Sequence, residues 1–255
     1  MYNIDLSGKT AVVTGGAQGI GKACAVKLAE AGIAGLTVVD LKVDGPGEET
    51  KKELEALGAK VILFAGDVSK PETAQLALKQ TFDAFGSVDI IVNNAGIAHL
   101  GDIFTTDDET WDRTMAVNLK SVFLFMKYGA MIMKEQKHGV IVNMASIAGI
   151  TGGNTAPDYG ASKGGVIALT KFGAKTLSQY GIRVNAVAPG TIETEMVARG
   201  RALLTPEQNE KRMATIPMGR LGTPEEVAQA VLFLASDLSS YVCGDVLTVT
   251  GARMI

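Results

Sequence analysis

The sequence predicts an α/β fold, a parallel sheet covered by helices on both faces, and three observations predict it. Apolar, β-branched runs recur at intervals filled by helix-patterned segments, the alternation that builds parallel sheets. These runs are continuously apolar rather than alternating, as suits strands buried on both sides. The first of them leads through the glycine-rich turn TGGAQGIG straight into an amphipathic helix. A chain of 255 residues is of a length that α/β folds commonly use for one domain, so one domain over 1–255 is expected.

In chain order, a strand at 10–14 precedes a helix at 20–31, and the run LTVVD at 36–40 precedes the charged helix 48–57. A strand at 60–65 is followed by a helix over 71–85. The short run IIVN at 90–93 is followed by a long helix over 107–134. Strands at 139–143, 183–188 and 246–249 frame helices at 158–180 and 224–236. Gly32, Gly58, Gly86 and Gly181 fall just past helix patterns, where a residue that accepts positive φ closes the last turn. Ser69-Lys70-Pro71-Glu72 and Thr223-Pro224-Glu225-Glu226 each place a hydroxyl ahead of a proline and an acid, a helix start signal. The stretch 191–218 is the one long connection between a strand and a well-marked helix, and it is the candidate for a lid over a ligand.

Composition narrows the function classes. Apolar residues make up 47% and charged residues 20%, as expected of a packed chain and not of a disordered one. A net charge of -3 argues against a nucleic-acid partner. The longest uncharged stretch, 139–157, is interrupted by Gly139, Asn143, Gly149, Gly152, Gly153 and Asn154, so no membrane span is expected there. MYNIDLSGKT lacks a cationic segment followed by an apolar one, which makes the cytoplasm the default compartment. Cys24 and Cys243 lack metal-ligand spacing. Both read as small core residues, and no metal site is expected.

The glycine turn carries the first chemistry. Gly15, Gly19 and Gly21, with Gln18 and Ile20 between them, occupy a strand-turn-helix corner. There the absence of β-carbons lets backbone approach a pyrophosphate at a helix N-terminus. Asp40, nineteen residues beyond Gly21 at the end of the second strand, is placed to accept hydrogen bonds from the adenosine ribose hydroxyls. Its charge opposes a phosphate on that ribose, and Ala17 and Gln18 supply no compensating cation. NAD is therefore expected over NADP, with Lys42 the one residue able to soften the discrimination. Asp67-Val68 and Asn94-Ala95-Gly96 follow the third and fourth strands at the carboxyl edge, where open α/β sheets hold ligands.

The second chemistry lies in SIAGITGGNTAPDYGASK, where Tyr159 and Lys163 are four residues apart. On a helix that spacing puts both on one face, within reach of each other. A phenol with a pKa of about 10 is a poor proton donor and acceptor at neutral pH, and a nearby cation is expected to bring it down. Singly, Ser146 reads as a turn residue, Tyr159 as a half-buried aromatic and Asn118 as a polar group inside a helix. Their order and spacing behind a nucleotide corner favour a catalytic set. His99, in the loop after NNAGIA, reads as a solvated loop residue with substrate contact as the alternative, and His138 reads as surface.

Together TGGAQGIG, Asp67, NNAG, Asn118, Ser146, YGASK and PGTIET resemble the short-chain dehydrogenase/reductase family in its single-domain form, over nearly the whole chain. The resemblance implies a Rossmann-type, doubly wound, seven-stranded parallel sheet with a nicotinamide cofactor across its carboxyl edge. It also implies a homotetramer in which two long helices pair between subunits. Tyr159 then resembles the general acid of reduction and base of oxidation, and Ser146 the group that hydrogen-bonds the substrate oxygen. Lys163 resembles the residue that binds the nicotinamide ribose and lowers the phenol's pKa. Asn118 matches a fourth catalytic member whose backbone holds a water. Ile192 and Thr194, after Pro189-Gly190, match positions that bind the nicotinamide carboxamide. One departure is Thr250-Gly251-Ala252, where relatives often carry Asp-Gly-Gly, and it puts the packing of the last residues in question.

The function expected from this resemblance is an NAD-dependent dehydrogenase or ketone reductase acting on a small secondary alcohol such as a polyol, sugar or hydroxysteroid. Its pocket would be drawn from 97–104, 147–158 and 191–214. A 3-oxoacyl-carrier-protein reductase is the second reading. Asp40 weighs against it, because such reductases generally use NADPH, as does the mixed charge of Lys134 and Glu135. A protein that senses NAD without turnover is a third reading, and retention of both Tyr159 and Lys163 weighs against that one.

Overall fold

The computed structural model describes residues 4–153 and 156–253. Seven strands form one sheet: β1 (Thr10–Thr14), β2 (Gly35–Asp40), β3 (Lys60–Ala65), β4 (Ile90–Asn93), β5 (Gly139–Met144), β6 (Ile182–Pro189) and β7 (Val246–Val249). Their order is β3-β2-β1-β4-β5-β6-β7, and every pairing is parallel. The chain winds outward from β1 to β3 and then crosses back to β4 on the other side of β1. The carboxyl ends of β1 and β4 thus form the crevice where such sheets take ligands. Both strands are buried along their whole length, the environment that their continuous apolar runs require.

The helices divide between the two faces. On one, α1 (Gly19–Glu30) packs against α10 (Pro224–Ala235), and Leu28, Leu54, Val227 and Val231 share a core with Val13 and Val38. α2 (Pro46–Ala56) contributes Leu54 to that core. On the other face, α3 (Pro71–Phe85), α5 (Ser121–Gln136) and α7 (Pro157–Leu177) bury Leu78, Phe125, Met133 and Val166 against Val12, Ile91 and Ile141. The helical run 108–136 has the length and hydropathy of a bilayer span. Burial of Val122, Leu124, Phe125 and Met133 against the sheet makes it a core helix.

Several expectations need correction. The helix expected over 107–134 is α4 (Asp108–Met115) and α5 separated by a π-helical turn, Ala116–Lys120. Lys70, not Ser69, is the N-cap of α3. The Ser69 hydroxyl instead donates to Asp67 at 2.7 Å, closing a local turn in which the Ser69 amide donates to the same carboxylate at 2.9 Å. Cys24 is buried in the core as expected, but Cys243 is exposed in the turn before β7. The 191–218 stretch is not plain loop: it carries α8 (Glu195–Ala202) and α9 (Pro206–Ala214). The signal for α9 was in the sequence, a Thr205-x-x-Gln208 capping box with Pro206 at the first position. A further short helix, α6 (Ala148–Thr151), follows β5.

Candidate active site

A cavity of about 1900 Å³ opens along the carboxyl edge of the sheet, from Asp40 at one end to Tyr159 and the α8–α9 segment at the other. Its walls include Gly15, Gln18, Gly19, Ile20, Asp40, Asp67, Val68, Asn94, Ala95, Gly96, Ser146, Tyr159, Lys163, Pro189, Gly190, Ile192 and Thr194. Two residues that the sequence points to stand behind the wall, Gly21 and Asn118. The pocket segment 147–158 includes Asn154 and Thr155, which lie outside the described residues.

The corner at β1 owes its shape to the glycines. Gly15 takes φ +63° under the backbone of Ala95, and a β-carbon on Gly21 would lie 2.0 Å from the Gly15 carbonyl oxygen. Gly21 therefore lets α1 close against the turn without facing the cavity itself. The first turn of α1 holds no acid, which leaves its positive end uncompensated and suited to an anion. Asn94 clamps the crevice, its Nδ2 donating to the carbonyls of Thr14 and Gly15, each at 3.0 Å. The Thr14 hydroxyl accepts from the Asn94 and Ala95 amides at 3.0 and 3.1 Å. Sequence reasoning missed Thr14, although its place at the end of β1 beside the glycine turn was a signal.

Asp40 ends β2 with its carboxylate accepting from the Ala17 amide at 3.1 Å and the Leu41 amide at 2.8 Å. It forms no ion pair among the described residues, and the Lys42 side chain is in none either. Asp67 loses some solvation on burial. The hydroxyl and amide of Ser69 more than offset that and hold its carboxyl below the usual range, so it is ionised at neutral pH.

At the other end, Ser146 follows β5, and Tyr159 and Lys163 sit on the first turns of α7 with the side chains one turn apart. The approach is close because Gly149 and Gly160 lack β-carbons that would lie 2.5 Å and 2.3 Å from backbone of α7 and Gly152. Lys163 is 4% exposed, and its Nζ donates to the Met144 carbonyl at 2.7 Å while lying 5.9 Å from the Tyr159 ring centre. Burial pulls its pKa from 10.5 down to about 8.

The phenol departs from expectation. Burial raises the Tyr159 pKa, and hydrogen bonding to the Ser146 hydroxyl offsets only part of that. Desolvation of the phenol outweighs the Ser146 hydrogen bond, and the Lys163 ammonium is engaged by the Met144 carbonyl of β5.

Asn118 is completely buried in the π-helical turn, a distortion often found at functional sites. Its side chain accepts from the Ile97 amide at 2.8 Å and donates to the Ile97 carbonyl at 2.9 Å and to Ser162 Oγ at 3.2 Å. The Ser162 hydroxyl in turn donates to the Tyr159 carbonyl at 2.8 Å. Asn118 thus ties the 96–98 loop to α7 behind the cavity wall. A β-carbon on Gly96 would lie 3.3 Å from its Oδ1 and 3.5 Å from the Lys163 ammonium.

His99 is not simply solvated. Its Nδ1 lies 3.5 Å from Asp158 Oδ2, and Asp158 is completely buried immediately before Tyr159. His138, exposed as expected, lies 2.8 Å from Asp89. Thr191 and Arg212 line the cavity within the expected 191–214 segment, while Thr215 and Arg253 are cavity residues that the sequence did not point to. They are brought in by the fold of the α8–α9 segment and by the turn after β7.

Comparison with known proteins agrees with this arrangement. Residues 15–251 match the family profile described as enoyl-(acyl carrier protein) reductase. The chain is 40% identical to the 3-oxoacyl-(acyl-carrier-protein) reductase FabG of Thermotoga maritima, over 98% of this chain and 99% of that one. It is 39% identical to the L-rhamnose 1-dehydrogenase (NAD(P)(+)) of a Sphingomonas strain, over 98% of each. The crystal structure of levodione reductase superimposes with a TM-score of 0.92 at 34% identity, covering 97% of this chain and 98% of that one. With the seven-stranded parallel sheet and a family match over nearly its whole length, this chain belongs to the short-chain dehydrogenase/reductase family of oxidoreductases.

Proposed function

We propose that this enzyme is an NAD-preferring alcohol dehydrogenase or ketone reductase for a small secondary alcohol or its ketone. One observation carries the reading: Ser146, Tyr159 and Lys163 converge at one end of a cavity whose other end is an ion-pair-free Asp40. The bound nicotinamide supplies or accepts the hydride. Tyr159, kept protonated by burial, donates its proton to the carbonyl oxygen in reduction and recovers one from the alcohol in oxidation. Ser146 hydrogen-bonds the same oxygen. Lys163 holds a ribose hydroxyl of the cofactor and adds positive charge beside the phenol. Asn118 keeps the 96–98 loop in register with α7, leaving its backbone for a water that links Lys163 to solvent. Gly15, Gly19 and the α1 N-terminus hold the pyrophosphate, and Ile192 and Thr194 hold the carboxamide. The 191–218 segment folds over the substrate as a lid within a single domain.

Asp40 supports the cofactor preference, since its carboxylate accepts from ribose hydroxyls and repels a ribose phosphate. The relative that uses NAD(P)(+) shows that the family accommodates both, so the preference rests on this residue. The 40% identity to a 3-oxoacyl-carrier-protein reductase favours that activity as the second reading, and Asp40 opposes it for the reason above. Oxidation of NADH and of NADPH is measured with a panel of small ketones and an acetoacetyl thioester. Preference for NADH with a free ketone is the expected result. NADPH-driven reduction of the thioester alone would replace it with the second reading, and binding of NADH without consumption by any substrate would favour a sensor. Tyr159→Phe is expected to abolish turnover with NADH affinity retained, and undiminished turnover would remove the tyrosine from the chemistry.

A further inference from the structure

The basic side chains of the 191–218 segment and its surroundings fall into two groups. Arg199 pairs with Glu195 at 2.5 Å, Lys211 with Glu207 at 2.8 Å, and Arg220 with Glu226 at 2.6 Å, all on exposed surface. Arg201, Arg212 and Arg253 are half-buried instead, and among the described residues none has a carboxylate within 4.0 Å. Arg253 donates to the Thr191 hydroxyl, and Arg201 to Asn209 Oδ1 at 3.4 Å, both neutral partners. Arg212 lies close enough to both of the others to feel them, its pKa being lowered by burial and then by the charges of Arg253 and Arg201. Arg212, Arg253, Thr191 and Thr215 face the cavity that holds Ser146 and Tyr159.

We infer that Arg212 and Arg253, with Arg201 behind them, form an anion subsite, so that the alcohol or ketone carries a carboxylate, phosphate or sulfonate away from its reacting carbon. This rests on the reading of the cavity as the substrate site and narrows the substrate class within it. Half-buried like charges with no carboxylate paired to them among the described residues favour binding a compensating anion. Guanidinium groups are the donors best shaped for an oxyanion. Three structural features bring them there. A β-carbon on Gly190 would lie 3.0 Å from the Thr250 α-carbon. The Met218 amide donates to the Gly251 carbonyl at 3.3 Å, and the Arg253 amide donates to the Thr250 carbonyl at 3.1 Å. The segment Thr250-Gly251-Ala252, where relatives often carry Asp-Gly-Gly, thus turns Arg253 onto Thr191 beneath α9. The anion site proposed for the cofactor is built from other residues, Gly19 and the α1 N-terminus, with Asp40 beyond it on the same cavity.

The test compares anionic ketones with neutral isosteres, acetoacetate with acetylacetone and levulinate with acetonylacetone, in wild type and in an Arg212→Gln, Arg253→Gln double variant. NADH affinity is read in parallel by fluorescence. The wild type is expected to favour the anion in kcat/KM by about tenfold or more, as a hydrogen-bonded charge provides. The double variant is expected to lose that preference through KM, with kcat and NADH affinity held to within about twofold. Equal use of each pair by wild type, a preference that survives the variant, or a fall in NADH affinity would overturn the subsite. If no ketone is turned over with either nucleotide, the proposed reaction fails. The subsite is then judged by inorganic sulfate: saturable protection of wild type against thermal unfolding that the variant lacks supports it, and an equal response overturns it. Arg212→Gln alone, on the short helix α9, serves if the double variant does not fold.

Discussion

Lys163 carries an ammonium into the interior, and that single side chain connects stability to function. Its pKa falls from 10.5 to about 8 because burial disfavours the charged form. Below about pH 8 folded and unfolded chains both hold the proton, and the folded state bears the full desolvation cost, about 3 kcal/mol. Between about 8 and 10.5 the unfolded chain binds more protons than the folded one, so stability rises with pH through that window. Lys163→Met should therefore unfold at higher urea than wild type at neutral pH, less whatever the lost bond to the Met144 carbonyl is worth, while turnover is lost. The gap should close as pH passes through the window. A gap independent of pH would mean that the ammonium is not desolvated in solution. A residue that lowers stability and stands beside a phenol in a cleft has the signature of a functional group. The identity of this pair was legible from its spacing of four. The direction of the phenol's shift was not, because it depends on how deeply the fold buries the ring against the hydrogen bond from Ser146, which arrives there from the end of β5.

At the scale of elements, chemistry written into a few consecutive residues was the most legible. Thr223 accepts from the Glu226 amide at 3.3 Å while Glu226 accepts back from the Thr223 amide at 2.8 Å, a reciprocal cap at the helix start that the sequence predicts for α10 from its capping hydroxyl. Arg220 adds two hydrogen bonds to the same carboxylate and pulls its pKa down to about 2. Because α10 packs its Val227, Val231 and Leu234 against α1, a weakened cap is felt by the sheet and not only by the helix end. Thr223→Ala is expected to destabilise the protein by about 1 kcal/mol. This would appear as a lower urea midpoint at unchanged m-value, with Thr223→Ser restoring most of the loss; no shift would show that the cap is redundant. Ser69 shows the limit of such local reading. Its neighbours spell the same cap, yet Asp67 two residues earlier captures the hydroxyl, and both alternatives are equally local in sequence. The π-helical turn around Asn118 escaped for a different reason: its side chain is held by Ile97 and Ser162, which are distant in sequence and adjacent only in the fold.

Across the whole molecule, the winding of the sheet brings two separately encoded sites to opposite ends of one cavity, and it leaves an apolar face uncovered. Phe123 on α5 and Phe172 on α7, 47% and 65% exposed, line one open apolar hollow with Leu119 and Leu169. A contiguous apolar surface of this kind is the mark of an association site. We therefore expect the homotetramer implied by the family, with these helices pairing between subunits. Sedimentation should show an assembly larger than one 26.6 kDa chain, and Phe172→Glu should shift it to a smaller species. A wild-type monomer would contradict this expectation.

What the sequence determined by itself is the alternation of strands and helices, the glycine corner, Asp40 at a strand end and the Tyr159–Lys163 spacing. Each of these depends on residues within a few positions of one another, and local sterics, capping and periodicity act at that range. The tertiary structure decided which end of each strand faces which, that 191–218 folds as two helices over the cavity, and that Arg253 meets Thr191 sixty-two residues away. It also decided the phenol's pKa. Burial and charge at a point are sums over everything packed around it, and only the closed fold sets the terms of that sum.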